Sequence, residues 1–202
     1  MKQMLNAFAA LAIIAAPASA TPVVGKPAPD FKLTDANGRI VTLSGFRGKT
    51  VVLEWTNPGC PFVRKHYGSG NMQRTQAAAA KDGVVWLTIN SGAPGKQGYM
   101  SGPEAKAFVA QSGARPTAYL LDPRGNVGKS YDAKTTPHMF VVNKAGTLVY
   151  AGGIDDKPTA NPADIKSARN HVLAALTELK AGKAVSVPTS RPYGCAVKYA
   201  ES

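Results

Sequence analysis

The stretch Val51-Val52-Leu53-Glu54-Trp55-Thr56-Asn57-Pro58-Gly59-Cys60-Pro61-Phe62-Val63-Arg64-Lys65 decides the reading of this chain, because a hydrophobic β-type run delivers Cys60 to the start of an amphipathic helix. The first turn of a helix leaves backbone N–H groups unpaired and carries roughly half a positive charge, so an anionic sulfur there is stabilised relative to its thiol. Pro61 suits the first helical position, where its fixed φ fits and its missing N–H removes no intrahelical bond. Arg64, one turn further along the same face, adds positive potential. Cysteines in such settings fall from a pKa of about 8.5 into the range of roughly 3.5 to 7.5, which makes them nucleophilic near neutrality. The plain alternative is a buried, inert cysteine that packs as a small hydrophobe.

Outward from this segment, strand and helix signals alternate. Upstream, Phe31-Lys32-Leu33-Thr34 and Arg39-Ile40-Val41-Thr42-Leu43 flank Asp35-Ala36-Asn37-Gly38, whose Asn-Gly pair signals a hairpin turn. The run Thr50 to Trp55 is apolar enough for a central strand covered on both faces. Downstream, one helix is expected from Cys60 to about Ala80, stopped by Lys81-Asp82-Gly83. Val84 to Asn90 reads as a second buried strand, and Pro103 to Gln111 as the next helix after a Gly/Ser/Pro-rich loop. Within that loop Gly95-Lys96 lacks a glycine five residues earlier and is followed by Gln97 instead of Ser or Thr, which excludes a phosphate-binding loop. Tyr119-Leu120-Leu121 is a short strand, and His138 to Val142 with Thr147 to Ala151 form a hairpin around Asn143-Lys144-Ala145-Gly146. The last helix is expected to start at Pro162 behind an Asn161 cap, to carry Ile165, Ala168, Val172, Leu176 and Leu179 on one stripe, and to end at Gly182. His171 flanks that stripe.

Residues 1–20 read as an export signal: Lys2 supplies the positive end, Ala7 to Ala16 the apolar run, and Ala18-Ser19-Ala20 the cleavage site. That run is too short to span a bilayer core of about 30 Å, and no second long apolar run follows, so no membrane span is expected. The expected organisation is a signal at 1–20, one domain over 21–183, and a C-terminal tail over 184–202 that carries Cys195. The formal charge of +12 comes from lysines and arginines scattered singly rather than in a dense block. Such a charge marks a solvated basic face, and export argues against nucleic acid as the partner. Two cysteines in an exported chain meet an oxidising compartment, where a pair can persist as a disulfide.

A strand delivering a cysteine to a helix N-terminus, a following strand–helix unit, and Thr136-Pro137-His138-Met139-Phe140-Val141-Val142 leading a hairpin and closing helix together resemble the thioredoxin fold. More narrowly, Gly59-Cys60-Pro61-Phe62-Val63, the turn Gly152-Gly153-Ile154-Asp155-Asp156 and the tail Arg191-Pro192-Tyr193-Gly194-Cys195-Ala196-Val197-Lys198-Tyr199 resemble AhpC/TSA-type redoxins and their peroxiredoxin-like branch. The fold this implies is a thioredoxin-like, three-layer α/β arrangement with an N-terminal β-hairpin and an extended C-terminal tail. By the same resemblance, Cys60 takes the place of the attacking cysteine of Cys-x-x-Cys, with Val63 where the second cysteine belongs. Thr136-Pro137 becomes the cis-proline element beside the thiol, whose preceding backbone pairs with an extended substrate segment. An ordinary trans proline opening a strand is the other reading of that pair.

The chemistry implied is thiol–disulfide exchange on an exported protein or a small thiol or disulfide, with Cys60 as nucleophile and Cys195 as resolving thiol. Catalytic Cys60 and Cys195, substrate-binding Thr136 and Pro137, and thiolate-supporting Pro61 and Arg64 form the expected site, with no cofactor and no metal. Three rivals stand beside it. A permanent Cys60–Cys195 staple would stabilise by about 4–5 kcal/mol on chain-entropy reasoning. A peroxidase would oxidise Cys60 to sulfenic acid and condense it with Cys195. Peroxiredoxins, however, carry Thr three residues before the cysteine, where this chain has Asn57; Thr56 is one residue too far, and neither Arg115 nor Arg124 can be matched to their supporting arginine. A copper or zinc chaperone would join Cys60 to His138 or His66, although His66 reads more simply as a solvated helix residue.

Overall fold

The computed structural model describes residues 22–200, so the expected export signal at 1–20 lies outside the described residues. Strand β1 (Lys32–Asp35) turns through Asn37-Gly38 into β2 (Ile40–Thr42), and the two pair antiparallel with Thr34 opposite Ile40. Gly38 takes φ 81° at this turn, the left-handed conformation that the Asn-Gly signal implies. Strand β3 (Val51–Trp55) is buried along its whole length. Its period-two alternation splits the core: Val51, Leu53 and Trp55 join one hydrophobic cluster and Val52 joins the other, with Cys60.

Helix α1 (Pro61–Gly68) and helix α2 (Asn71–Lys81) return the chain to β4 (Val85–Asn90), which pairs parallel with β3. A single helix was expected here, and the structure breaks it at Ser69-Gly70. Gly70 adopts φ 72°, and the Ser69 hydroxyl bonds back to the Lys65 carbonyl at 2.6 Å, so the chain leaves the helical path and restarts. Helix α3 (Gly102–Ser112), fixed by a Ser101–Glu104 capping box, leads to β5 (Ala118–Leu121), parallel to β4. A short helix α4 (Asn126–Ser130) then precedes the two-residue β6 (Thr135–Thr136) and the central β7 (His138–Val142). Strand β8 (Leu148–Gly152) completes the expected hairpin, one residue later than the sequence suggests.

The last helix is the second correction. Asn161 caps a 3-10 turn (Pro162–Ser167) that buries nothing, Ala168 is extended, and α5 (His171–Lys180) starts afresh under Asn170. The interruption has a cause in the fold, because Asn170 and His171 are tied elsewhere. The Asn170 amide donates to Thr75 on α2 at 3.1 Å, and the His171 N–H donates to the Ile154 carbonyl at 2.9 Å. Val172 and Leu176 are buried as the stripe requires, while Ile165 and Ala168 are not.

The main sheet runs β2-β1-β5-β4-β3-β7-β8, with β3 flanked by parallel β4 and antiparallel β7. Helices α1, α2 and α5 cover one face through Val63, Tyr67, Met72, Val172 and Leu176, and Phe31, Val127 and Tyr131 cover the other. This is a thioredoxin-like three-layer arrangement. A second, two-stranded sheet joins β6 to β9 (Cys195–Ala196), and it brings the tail back to the body.

Candidate active site

The loop after β3 is a tight, self-bonded turn. The Thr56 N–H still pairs with the Ile89 carbonyl at 2.9 Å, the Asn57 side-chain oxygen accepts the Gly59 N–H at 2.9 Å, and the Asn57 carbonyl accepts the Cys60 N–H at 2.9 Å. Cys60 is thereby delivered as the N-cap of α1, with Pro61 in the first turn. Its thiol donates to the Thr136 carbonyl at 3.1 Å, and the Thr136–Pro137 peptide is cis.

Thr136 also holds the second cysteine. Strand β9 pairs antiparallel with β6 so that Cys195 lies opposite Thr136, and the Thr136 hydroxyl donates to the Cys195 carbonyl at 3.4 Å. Residues 60, 136 and 195, far apart in sequence, therefore meet at one point. Both cysteines are free thiols. Further anchors fix the tail on either side: Ser190 N–H to the Ala151 carbonyl at 3.2 Å, Val197 N–H to Lys134 at 3.1 Å, and the Tyr199 hydroxyl to Ala133 at 2.7 Å.

The two thiols are electrostatically unequal. Burial works against a charge on Cys60, but hydrogen bonds from the Cys195 side chain, the backbone N–H groups of Val63 and Cys195, and the Thr136 side chain outweigh it and hold the thiol below its usual range. The Val63 N–H is one of the unpaired donors of the first helical turn. Cys195 is pushed up to about 11, by burial first and then by its hydrogen bond to Cys60 and the charge there, which Lys198 offsets only in part. One thiol is thus predisposed to attack and the other to carry the proton. Thiolate absorbance near 240 nm in the reduced protein should rise in two separated steps, one below the ordinary cysteine range and one near 11. A single step worth two thiolates in the ordinary range would contradict this arrangement.

The other residues singled out in the sequence are placed differently. Arg64 is exposed and donates to the Pro58 carbonyl at 3.2 Å, bracing the loop. His66 is a correction: it is fully buried rather than solvated, because its ring is bonded on both sides, to Asn71 at 2.8 Å and to Tyr193 at 3.1 Å. His138 is buried against Phe140 and faces the Lys134 N–H, and burial pushes it down to about 4. Asn57 bonds Gln97 at 3.0 Å, and Arg115 and Arg124 are both exposed. Among the described residues no three His, Cys, Asp or Glu side chains are grouped to hold a metal ion.

Two features were not foreseen. Glu54 is fully buried on β3, where it accepts hydrogen bonds from Tyr67 at 2.7 Å, Trp86 at 2.8 Å and Thr88 at 3.0 Å, yet burial still raises its pKa. The available signal was an acidic residue inside an otherwise apolar strand. The second is a cleft of about 540 Å³ beside the β6–β9 pair, walled by Phe62, Thr135, Asp155, His171, Arg191 and Tyr193.

Similarity to known proteins agrees with this geometry. A thiol-disulfide oxidoreductase, ResA of Geobacillus kaustophilus (strain HTA426), is 28% identical over 125 residues, 62% of this chain, and the match spans 66% of that relative's length. A solved hypothetical protein from Sinorhizobium meliloti 1021 is 26% identical and superimposes with a TM-score of 0.75, covering 91% of this chain and 98% of that one. An uncharacterized conserved protein from Geobacillus kaustophilus, 28% identical, gives 0.74 over 89% of this chain and 94% of its own. The AhpC/TSA family model matches residues 24–151, from the N-terminal segment through Cys60 and the Thr136–Pro137 element to β8, and stops short of the tail. On that match, which spans more than half of its length, the chain belongs to the AhpC/TSA family.

Proposed function

We propose that this protein is an exported thiol–disulfide oxidoreductase in which Cys60 is the nucleophile and Cys195 the resolving thiol. The Cys60 thiolate attacks a partner disulfide; one partner sulfur leaves as thiolate and the other becomes bonded to Cys60. Cys195 gives up its proton and attacks the Cys60 sulfur, which forms the Cys60–Cys195 bond and releases the second partner sulfur as thiolate. The partner gains two electrons and the protein loses them. The observation that carries the proposal is the register placing Cys195 opposite Thr136, whose carbonyl already holds Cys60. Without that register the usual second cysteine, replaced here by Val63, would have no substitute.

The substrate is an exported protein or a small thiol or disulfide, met at the Thr136–Pro137 element, and export rests on the signal pattern of residues 1–20. A permanent staple remains the second reading, because the tail is pinned at several other points. Titrating the pair against a glutathione series separates the two. A midpoint near about −180 mV is expected for exchange, and one below about −300 mV would assign the pair to a staple.

A further inference from the structure

The helix that begins at Cys60 carries two buried polar side chains that the exchange chemistry does not use. Lys65 and His66 on α1 are both fully inside the protein, where they meet Asp155 from the turn after β8 and Tyr193 from the tail. Lys65 donates to the Lys157 carbonyl at 2.7 Å, lies 3.7 Å from the Asp155 carboxylate, and sits over the Tyr193 ring at 5.5 Å. Burial holds His66 down at about 4, with Asp155 pulling it up and Lys65 pushing it down, so the ring is neutral near pH 7.

Neutrality makes the hydrogen bonds directional. The Asn71 amide donates to Nδ1 of His66, so the single ring proton is on Nε2 and points at the Tyr193 oxygen. The Tyr193 hydroxyl is then free to donate to Asp155, as it does. Donors run one way from Asn71 through His66 and Tyr193 to Asp155, and the only member from the tail stands two residues before Cys195. Between them Gly194 turns sharply at φ 134°, so the path into β9 starts from wherever Tyr193 is held.

We propose that Tyr193 is a positioning residue for the resolving thiol: its hydroxyl, clamped between His66 and Asp155, holds the tail so that Cys195 outcompetes outside thiols for Cys60. This rests on the reading of Cys195 as the resolving cysteine. Removing the hydroxyl leaves the buried Nε2–H of His66 without its partner and Asp155 Oδ1 with only the Lys157 N–H at 3.0 Å. Both regain partners if the tail lifts and water enters, so the lifted population grows and the effective concentration of Cys195 at Cys60 falls.

The test is Tyr193→Phe, which keeps the ring packed on Phe62, with Tyr131→Phe as control. Tyr131 also loses a hydroxyl in the interior, one bonded to the Pro29 carbonyl at 2.6 Å and outside the Asn71–His66–Tyr193–Asp155 chain. In a glutathione series followed by mass spectrometry, Tyr193→Phe should lower the equilibrium constant for Cys60–Cys195 formation by about tenfold, a midpoint about 30 mV less negative, with Cys60–glutathione accumulating. Tyr131→Phe should leave both readings within twofold of the wild type. Should Tyr193→Phe fail to fold, Asn71→Ala at a half-buried position releases His66 from the other end and should give about a threefold fall in the same direction. An unchanged equilibrium in the folded variants, or an equal shift in the control, overturns the assignment. If the wild type forms no Cys60–Cys195 disulfide at any ratio, the exchange reading itself has failed and the role of Tyr193 goes with it.

Discussion

Cys195→Ser is expected to turn the protein into a trap that accumulates mixed disulfides through Cys60, while Cys60→Ser abolishes exchange. The two outcomes differ because the thiols differ. Serine at position 60 has no ionisable group near neutrality, so the stabilisation from the Val63 N–H and the Thr136 side chain has no anion to act on. On the proposed mechanism, serine at position 195 leaves the attacking thiolate in place and removes only the group that attacks second. Intramolecular attack benefits from a local thiol concentration in the millimolar range or above, against about tens of micromolar for a competing thiol in an assay. Mixed disulfides should therefore live on the order of a hundredfold longer in Cys195→Ser. Non-reducing gels and mass spectrometry read this directly. Equal lifetimes in wild type and Cys195→Ser would remove Cys195 from the mechanism.

The second large effect comes from a residue with no functional group. A methyl added at Gly194 would lie 2.0 Å from the Thr136 carbonyl oxygen and 2.7 Å from its carbon, and φ there is 134°. Both obstacles are backbone, so neither can swing aside. Keeping the tail in place would carry strain of at least about 1–3 kcal/mol, and relief comes most simply by parting β9 from β6. Gly194→Ala should therefore weaken Cys60–Cys195 pairing roughly five- to a hundredfold in a glutathione titration. Its thermal unfolding should change little, because the tail yields before the core does. Gly182→Ala is the contrast: φ is 70° but nothing lies within 4 Å of the added carbon, so backbone strain arises there without displacing Cys195. Equal redox effects from the two alanines would mean that the Thr136 contact plays no special part.

Much of the frame was legible because it rests on local periodicity. The alternation within Val51–Trp55, the Asn37-Gly38 turn and the His138–Val142 run each encode their element in a few neighbouring residues, and Cys60-Pro61 marks where a helix begins. Where the outcome depended on distant partners, the sequence was silent or misleading. Position 66 looks solvated on a helical wheel because Tyr193, which bonds one side of its ring, arrives from far down the chain. The last helix has an unbroken apolar stripe on paper, yet it is interrupted where Asn170 and His171 are tied to Thr75 and Ile154. The register of β9 against β6 involves two residues on each side, too few to show any period, and Gly194 reveals its purpose only once Thr136 is beside it.

The β6–β9 ladder has a consequence for traffic at the sulfur. An extended segment of another protein laid along Thr135 and Thr136 would need the same backbone groups that this chain's own terminus already uses, and Cys60 beneath is only 1% exposed. The chain's own terminus thus occupies the edge proposed here to receive substrate. On the proposed exchange reading, a macromolecular substrate must unzip two residue pairs to reach the sulfur, because the terminus already fills that groove while both thiols are free.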